Sequence, residues 1–338
     1  RCWGDNGAGQ LGLGDTVARG KPSTSVGNGG ALEAVDLGAS RIVSMVGGYD
    51  FTCALLEDAT ISCWGANNFG QLGVGDVANR GDAAGQMGDA LLRVDLGGGG
   101  SAGSALAISA GGGHACAILL DARSLKCWGY NANGQLGLGS TANRGGAADM
   151  GDALAFVDLG GIAVLHVSAG KNHTCVILTE GTVKCWGDNS FGQLGVGDSL
   201  PRGGAPGEMG AALPAVALGE GAVVVTTGDT HTCVILASGV TKCWGGNAFG
   251  QLGLGDTAAR GSAAAHMGAA LPPVDLGTDL VAVALAAGAV HTCALLNSSQ
   301  VVCWGRNEFG ALGFYDRSNA LAAWGDSAGE MGDALVKV

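Results

Sequence analysis

The chain is poor in charged residues, proline and aromatic residues. Of its 338 residues, 14% are charged, 5% are aromatic and 6 are proline. With a formal net charge of −12, the average surface repels a phosphate backbone, so we do not expect a nucleic-acid partner. The longest apolar run, Leu280 to Leu296, has counterparts with polar centres in similar stretches, for example from Val223. We therefore interpret it as two strands and a turn, and expect no membrane span.

Glycine, in contrast, is abundant. The chain has 65 Gly, yet 47% of its residues are hydrophobic and no G-X-Y period runs through it. These values exclude a collagen helix and a disordered tract, and they predict a buried core. No segment keeps a helical period, so the sequence favours an all-β fold.

One glycine-rich motif recurs along the chain. The stretch KCWGDNSFGQLGVGD at Lys184 returns in similar form as RCWGDNGAGQLGLGD at Arg1 and KCWGGNAFGQLGLGD at Lys242. Its cysteine occupies positions 2, 63, 127, 185, 243 and 303. An active site does not recur at a steady interval, whereas the unit of a repeat architecture does. The motif is therefore predicted to be a structural unit.

The cysteines form pairs within the repeats. The spacing and the alternation of apolar residues in CVILTEGTVKC predict a hairpin with Val176 opposite Lys184 and the loop Thr179, Glu180, Gly181. Directly opposed strand residues are close enough for a disulfide, and the spacing of these cysteines does not match a zinc site. The predicted disulfides are Cys53 to Cys63, Cys116 to Cys127, Cys175 to Cys185, Cys233 to Cys243 and Cys293 to Cys303, and Cys2 is left unpaired in this chain.

Five disulfides predict an oxidising compartment, so we expect an extracellular or cell-surface protein. The sequons Asn172-His173-Thr174 and Asn297-Ser298-Ser299 are glycosylation candidates, and the second lies on a predicted hairpin tip.

Each repeat of about 58 residues predicts four short strands, which points to a β-propeller blade, with a solenoid as the weaker alternative. In one repeat the strands are expected near 164–168, 174–178, 183–187 and 215–218. We expect a single domain over residues 1–338, with a half blade at 1–38 and five full repeats over 41–338. The propeller would have six to seven blades. Because the first unit lacks its hairpin half, we expect that this chain is part of a longer polypeptide or is completed by another copy.

The pairing of G-x-x-H-T-C-x-L with C-W-G-x-N-x-x-G-Q-L-G resembles the repeat of the regulator of chromosome condensation family. The resemblance covers essentially the whole chain and implies a propeller, usually of seven blades. Members of this family act as a guanine-nucleotide exchange factor, a plant ultraviolet receptor, inhibitors of secreted enzymes and interaction modules, and the fold does not choose among these functions. The receptor's light-absorbing tryptophans lie in G-W-R-H-T, where this chain has GKNHT, GDTHT and GAVHT.

The repeated polar and aromatic residues are predicted to be structural. The tryptophan beside each motif cysteine is expected to pack between blades. His114, His173, His231 and His291 share one repeat position with Phe51, and we interpret them as hydrogen-bonded turn residues, because equivalent positions on neighbouring blades are too far apart to share a metal. Asp–Arg pairs four residues apart, as at Asp198 and Arg202, are expected to be local ion pairs.

We therefore expect no enzyme, no cofactor and no metal. The predicted function is a non-enzymatic extracellular interaction or structural module, part of a larger surface or filament assembly, with a protein partner or its own copies. The alternatives are an inhibitor of a secreted enzyme, marked by unrepeated aromatic residues on one face, and a regulator similar to a guanine-nucleotide exchange factor. The aromatic residues considered for that face share one repeat position with Ala8 in this alignment, and are expected to serve mostly in packing: Phe69, Tyr130, Phe191, Phe249 and Phe309.

Overall fold

The computed structural model describes residues 1–20, 32–98, 103–314 and 323–338. Its secondary structure consists of β-strands and three-residue 3-10 turns. The strands are β1 (Ile42–Gly47), β2 (Phe51–Leu56), β3 (Ile61–Gly65), β4 (Ala105–Ala110), β5 (His114–Leu119), β6 (Leu125–Gly129), β7 (Val164–Ala169), β8 (His173–Leu178), β9 (Val183–Gly187), β10 (Ala222–Thr227), β11 (His231–Leu236), β12 (Thr241–Gly245), β13 (Ala282–Ala287), β14 (His291–Leu296), β15 (Val301–Arg306) and β16 (Ala323–Trp324). The 3-10 turns are Gly88–Ala90, Gly151–Ala153, Gly210–Ala212, Ala264–His266, Gly268–Ala270, Glu308–Gly310 and Gly332–Ala334.

The strands form antiparallel sheets in chain order, and each sheet is one blade. Blades 1 to 4 are β1-β2-β3, β4-β5-β6, β7-β8-β9 and β10-β11-β12, and blade 5 is β13-β14-β15-β16. Each middle strand pairs with both neighbours, as β11 does with β10 and β12. The all-β propeller prediction is confirmed by these sheets and by the comparisons reported below.

The fourth strand of a blade is shorter than predicted. The segment expected to be a strand at 215–218 makes one isolated bridge, between Lys184 and Ala215, with Val216 N donating to Val183 O at 2.9 Å. The same connection also touches the third strand at its other end, where Arg202 bridges Gly187. Most of this connection consists of glycine-rich turns. It therefore bridges the third strand at only two points, Arg202 and Ala215, and does not pair with it as a continuous strand.

The hairpin between the second and third strands has the predicted register. In blade 3, Val176 pairs with Lys184, and Gly181 has a left-handed backbone with φ of 85°. Gly239 adopts φ of 87° at the same place in blade 4, whereas blades 1 and 5 use Ala59 and Ser299 there with φ of 63° and 65°. Blades 1 and 5 therefore keep the left-handed loop position without glycine, whereas the longer loop of blade 2 has two such residues, Ala122 and Arg123, with φ of 42° and 51°.

The chain divides into two compact units. The first contains 1–132 and 140–157, and the second contains 133–139 and 158–338. The half blade and blades 1 and 2 belong to the first unit, and blades 3 to 5 belong to the second. The organisation as a single domain stays a prediction.

The core lies between consecutive blades within each unit. In the second unit, the Cys175–Cys185 disulfide and Ile177 of blade 3 join a buried cluster with Val225 and Trp244 of blade 4. A similar cluster unites blade 4 with blade 5 around Ile235, Leu252 and Trp304. In the first unit, Leu37 of the half blade packs with Leu56 and Trp64 of blade 1. The apolar alternation in the hairpin strands therefore supplies the contacts between blades.

Candidate interaction surface

The asparagine of each C-W-G-x-N motif holds the loop that follows it. In blade 3, Asn189 Nδ2 donates to Asp198 O at 2.9 Å and to Leu200 O at 3.1 Å, and its Oδ1 accepts from Leu194 N at 3.0 Å. Asn6, Asn67 and Asn247 make the same set of bonds in their own loops. The buried amide is thus occupied by the backbone of its own loop and is structural.

The glutamine that follows supplies a backbone carbonyl that joins one blade to the next. Gln193 O accepts from Thr232 Oγ1 and from Trp244 Nε1, each at 2.9 Å, and both donors lie in the next blade. Gln10 O, Gln135 O and Gln251 O each accept hydrogen bonds from the equivalent threonine and tryptophan of the blade that follows. The five C-W-G tryptophans of blades 1 to 5 are fully buried at 0% exposure. The C-W-G tryptophans of blades 1 to 5 therefore pack between blades, as predicted. Trp3 of the half blade is 68% exposed, so the prediction is wrong for this tryptophan.

Three of the repeated histidines, His114, His173 and His231, are fully buried, His291 is half-buried, and His173 and His231 are hydrogen-bonded to the next blade. His231 Nε2 lies 2.9 Å from Thr292 Oγ1, and His173 Nε2 lies 3.1 Å from Thr232 Oγ1. Burial lowers the pKa of His114 to about 4, and burial together with the charge of His291 lowers the pKa of His231 to about 3. They begin the middle strands and do not lie in turns, which corrects the expected location but not the expected bonding.

Blade 1 shows what replaces this hydrogen bond. Phe51 occupies the histidine position opposite Gly65, and Ala115 of blade 2 occupies the threonine position opposite Trp128. Both side chains are buried, at 1% and 0% exposure. The histidine and its threonine are thus lost together, so neither polar group is left buried without the other.

The disulfides have the pairings that the hairpin register predicts. The Cα atoms of each of the five pairs lie 4.1 Å apart, and the paired cysteines face each other across the second and third strands. Cys2 is half-buried and has a free thiol. Each disulfide is enclosed within a single blade.

A cation lies at one cross-strand position of every blade. Lys126 Nζ donates to Leu96 O and Gly151 O, each at 2.9 Å, and burial lowers its pKa. Lys184 Nζ and Lys242 Nζ donate to the equivalent carbonyls of Gly210 and Gly268.

In blades 1 and 5 the cation is on the other member of the bridged pair. Ser62 pairs with Arg93, and Val302 pairs with Lys337. Arg93 Nη1 donates to Ser62 Oγ, so the guanidinium reaches back over the shortened side chain. Blades 1 to 5 therefore each keep one positive charge at this cross-strand position, on one strand or on the other, which indicates that the cation has a structural role.

The Asp–Arg pairs are local ion pairs, as predicted. Arg202 Nη2 lies 2.6 Å from Asp198 Oδ2, and the pairs Asp15–Arg19, Asp76–Arg80 and Asp256–Arg260 match it. The Arg202 bond is the main cause of the lowered pKa of Asp198, and Arg19 has the same effect on Asp15. These carboxylates are paired within their own loops and do not converge on a reaction centre.

One edge of each blade carries exposed side chains that differ from blade to blade. The edge combines the G-x-x-H turn with the loop after C-W-G, and backbone bonds join the two, as from Ala66 N to Asp50 O at 2.8 Å. We call it the variable edge. The residue directly after C-W-G is half-buried in blades 2, 3 and 5, where it is Tyr130, Asp188 and Arg306, and it is buried in blades 1 and 4, where it is Ala66 and Gly246.

In the first unit the variable edge is aromatic. Tyr49 and Phe69 are 50% and 41% exposed, and the Phe69 ring lies 4.7 Å from the ring of Tyr130 in the next blade. The alignment that placed Tyr130 at the repeat position of Phe69 was wrong, because Asn133 holds that position and Tyr130 follows C-W-G. Tyr130 therefore contacts Phe69 across the blades.

In the second unit the variable edge combines aromatic and charged residues. Phe191 is 50% exposed, and the Phe249 ring lies 4.8 Å from the Arg306 guanidinium carbon. Lys171 Nζ lies 3.9 Å from Asp229 Oδ2. The side chain of Phe309 lies outside the described part of the chain. Exposed tyrosine, phenylalanine and arginine are the residues that protein interfaces favour.

The two sequons have different surroundings. Asn297 is exposed on a hairpin tip, and Ser299 beside it is exposed as well. Asn172 is half-buried, and its partner Thr174 is fully buried with Oγ1 donating to Gln135 O. The structure therefore gives Asn297 the more accessible sequon.

Models of the regulator of chromosome condensation (RCC1) repeat match residues 2–55, 42–71, 106–135, 164–193 and 282–311. These segments are RCC1 repeats, and the chain resembles the RCC1 repeat family. The matches fall on the strands and motif loops of the half blade and of blades 1, 2, 3 and 5.

Two curated relatives of this chain have different functions. It is 29% identical over 315 residues to the ultraviolet-B receptor UVR8 of Arabidopsis thaliana, covering 92% of this chain and 62% of the receptor. It is 31% identical over 259 residues to the secretion-regulating guanine nucleotide exchange factor of Bos taurus, covering 75% of this chain and 50% of that protein. The chain thus spans about half to three fifths of the length of these relatives.

Solved structures support the RCC1 fold. Prp20p of Saccharomyces cerevisiae, studied for its binding to Gsp1p and histones, matches with a TM-score of 0.66 at 18% identity, covering 100% of this chain and 73% of Prp20p. Human WBSCR16 matches with a TM-score of 0.65 at 19% identity, covering 88% and 67% of the two chains. At these identities the likeness shows the fold alone.

The described ranges contain no cluster of three or more His, Cys, Asp or Glu side chains that could hold a metal ion. In the same ranges, no helix has the length and apolar character of a membrane span.

Proposed function

We propose that this chain is a non-enzymatic protein-binding module that works outside the cell or at its surface. The observation that carries the proposal is the division between repeated and unrepeated residues. In blades 1 to 5 the motif Trp side chains are buried, the motif Cys side chains are disulfide-bonded, and the motif Asn side chains are bonded within their own loops. The G-x-x-H turns of the variable edge differ between blades, with Tyr49 in blade 1, Lys171 in blade 3 and Asp229 in blade 4. A repeated scaffold with a varied exposed edge is suited to recognising one protein surface.

The five disulfides support the proposed location outside the cell or at its surface. Cytosolic thiols are kept reduced, so five disulfides in separate blades fit a secreted or surface protein. The exposed sequon at Asn297 fits the same route and supplies a place for a glycan. Assembly with further copies into a larger surface structure is compatible with this location.

The aromatic part of the variable edge gives a direct test. Phe69→Ala and Tyr130→Ala each remove one ring of the 4.7 Å contact, and Phe156→Ala is a matched control, since Phe156 is 53% exposed and contacts Lys126 Nζ at the cross-strand cation position. Immobilised chain is exposed to secreted and cell-surface proteins from its own source, and each candidate is then purified and its affinity measured.

We expect a partner that binds the unchanged chain and the Phe156 variant equally, and binds both edge variants at least about tenfold more weakly, the factor that corresponds to the loss of one well-packed anchor. Partners that bind all three variants alike would show that the variable edge is not the binding surface.

A regulator similar to an exchange factor is the second candidate, because a guanine nucleotide exchange factor and Prp20p are among the relatives. It predicts accelerated release of a fluorescent guanine nucleotide from a small GTPase, and free thiols in the native protein. An inhibitor of a secreted enzyme is a special case of the main proposal, recognised when the captured partner is an enzyme that loses activity on binding. Photoreception is not proposed, since the G-x-x-H-T stretches hold no tryptophan.

A further inference from the structure

Two phenylalanines of the variable edge are covered by the residue that follows C-W-G in the next blade. The Phe69 ring lies 4.7 Å from the ring of Tyr130, and the Phe249 ring lies 4.8 Å from the guanidinium carbon of Arg306. Tyr130 and Arg306 occupy the same repeat position, and so do Phe69 and Phe249. A phenylalanine and its covering side chain therefore form a recurring pair across neighbouring blades.

The equivalent phenylalanine of blade 3, Phe191, lacks this cover, because the residue after C-W-G in the next blade is Gly246. A Cβ atom on Gly246 would lie 3.6 Å from Phe191 Cγ, so the ring lies directly beside the bare glycine. Phe191 is 50% exposed, whereas Phe249 beneath Arg306 is half-buried. The Phe191 ring thus faces solvent where the other two rings meet a side chain of their own chain.

The backbone does not require a glycine at position 246. Gly246 is not one of the glycines with a left-handed backbone, so its conformation is open to other residues. A Cβ atom there would lie 2.6 Å from Thr230 Oγ1, and Gly246 N donates to Thr230 O. In blade 5, Arg306 N makes the same bond to Val290 O. These two positions therefore accommodate a β-branched residue together with an arginine.

Two carboxylates lie near the uncovered ring. Asp229 belongs to the turn beside the bare glycine, and its Oδ2 lies 3.9 Å from Lys171 Nζ. Gln193 joins the second carboxylate to the phenylalanine loop, since its Oε1 accepts from Phe191 N and its Nε2 donates to Asp188 Oδ2, each at 2.9 Å. Two carboxylates and one ammonium leave this place negative, as the whole chain is at −12. A cation is therefore favoured there over a neutral group.

We propose that the exposed face of Phe191 binds an arginine side chain of a partner protein, which lies on the ring as Arg306 lies on Phe249 and has Asp188 and Asp229 as its counter-charges. A guanidinium stacks on an aromatic face through its plane as well as its charge, which a lysine ammonium cannot do. A tyrosine, the cover that Phe69 has, would gain nothing from the carboxylates. This inference rests on the proposed function and names the chemistry of one partner contact at the variable edge.

The test uses N-acetyl-arginine methylamide as the probe. The lysine amide is the control for charge without a planar group, the citrulline amide is the control for shape without charge, and the tyrosine amide is the competing cover. The 7 phenylalanines of the native chain are replaced by para-fluorophenylalanine, and the chain is titrated with each amide by fluorine NMR. The signal of Phe191 is identified as the one that disappears in Phe191→Leu.

We expect the arginine amide to shift the Phe191 signal in a saturable manner and to bind about three- to fivefold more tightly than the lysine, citrulline and tyrosine amides. Asp229→Asn should weaken this binding about twofold or more. Glu220→Gln is the matched control and should leave it unchanged, because Glu220 bonds Ser238 at the hairpin tip, at the opposite end of blade 4.

A double variant supplies the missing cover within the chain. Thr230→Val combined with Gly246→Arg copies Val290 and Arg306 of blade 5. The Phe191 signal of this variant should no longer respond to the arginine amide, because the site is already filled. Circular dichroism checks its fold, and the comparison of Asp229→Asn with Glu220→Gln decides the question if the double variant does not fold.

An unmoved Phe191 signal, or equal affinities for the arginine, lysine and citrulline amides, would overturn the proposal. Tighter binding of the tyrosine amide would overturn it as well, and so would an equal shift of the signal of Phe69, which is already covered. The amides contain no partner protein, so these results are separate from the proposed function. That function fails when the captured partners bind the edge variants unchanged, whereas this inference fails when Phe191 does not respond to the guanidinium.

Discussion

The His231–Thr292 bond gives the sharpest prediction, because blade 1 already contains its natural replacement. Thr292 Oγ1 donates its one hydrogen to Gln251 O at 3.0 Å, so it accepts from His231, and Nε2 of the imidazole must carry the hydrogen. The perturbation is a cycle of His231→Phe, Thr292→Ala and the double variant. The double variant copies Phe51 and Ala115. Room for the larger ring is expected, since Phe51 lies over Gly48 as His231 lies over Gly228.

The expected loss in the free energy of unfolding depends on which buried polar atoms lose their hydrogen-bond partners. Thr292→Ala leaves the buried Nε2–H of His231 without an acceptor and should cost about 2–3 kcal/mol. Thr292 keeps its bond to Gln251 O in His231→Phe, so that variant should cost about 1 kcal/mol. In the double variant neither polar group remains, and the cost should be smaller than the sum of the single costs by about 1–2 kcal/mol.

The same pair makes stability depend on pH. Burial and the nearby His291 lower the pKa of His231 from 6.5 to about 3 in the folded protein. The unfolded chain therefore takes up a proton below about pH 6.5 that the folded chain refuses, so stability falls as the pH drops from 6.5 toward 3. At pH 5 this amounts to about 2 kcal/mol for His231. The double variant lacks the imidazole and should lose about 2 kcal/mol less between pH 7 and pH 5.

Urea unfolding with the disulfides intact, followed by tryptophan fluorescence at both pH values, measures these quantities. His114, whose pKa burial lowers to about 4, is present in every variant and contributes equally to each. Strictly additive single costs, or an unchanged pH dependence in the double variant, would refute the assignment of His231 as a neutral Nε2–H donor.

The remaining predictions contrast neighbouring residues. Asn189→Ala removes a buried side chain that makes three bonds to the backbone, and it should lower the free energy of unfolding by about 2–4 kcal/mol. Arg202→Ala in the same loop removes a partly exposed ion pair and should lower it by about 1 kcal/mol or less. Equal losses in urea unfolding would contradict this ranking. Phe69→Ala should cost less than about 1.5 kcal/mol, since its ring contact with Tyr130 is exposed, so a loss of binding without unfolding is expected, and circular dichroism provides the check. In material from a eukaryotic secretory route, Asn297→Gln should remove a glycan detected by mass shift, while Asn172→Gln should leave the mass pattern unchanged, because the Thr174 hydroxyl of its sequon is buried; a glycan found only at Asn172 would oppose this.

The hairpins were predictable because their signals are local. Alternation around Val176 and Lys184, together with glycine in the third loop position, determined register, disulfide and turn. The strand near 215 was predicted at full length but makes only one bridge, since its apolar residues turn into the space between blades, where Val216 and Leu218 join the buried cluster. A buried loop segment and a buried strand have the same apolar signal over so few residues.

The contacts between blades could be predicted from the sequence only in part. Gln193 bonds the next blade through its backbone carbonyl, which leaves no side-chain signal in the sequence. The histidine bond did leave one, because Phe51 is followed in the next repeat by Ala115, where the repeats after His173 and His231 carry threonine. A search for paired changes between consecutive repeats would have found it. The Phe69–Tyr130 contact was obscured by a shift in the alignment of the loop after C-W-G.

Mapping the disulfides of the native protein tests the central claim most directly. Blades 1 to 5 are each fastened by one internal disulfide, and we propose that the protein works in an oxidising compartment. Digestion without reduction, after alkylation of free thiols, should yield five linked peptide pairs, each within one blade, such as Cys175 with Cys185. None of these ten cysteines should carry the alkyl label. Links between different blades would contradict the hairpin architecture, and alkylation of all the cysteines in native protein would contradict the extracellular function and favour an intracellular regulator.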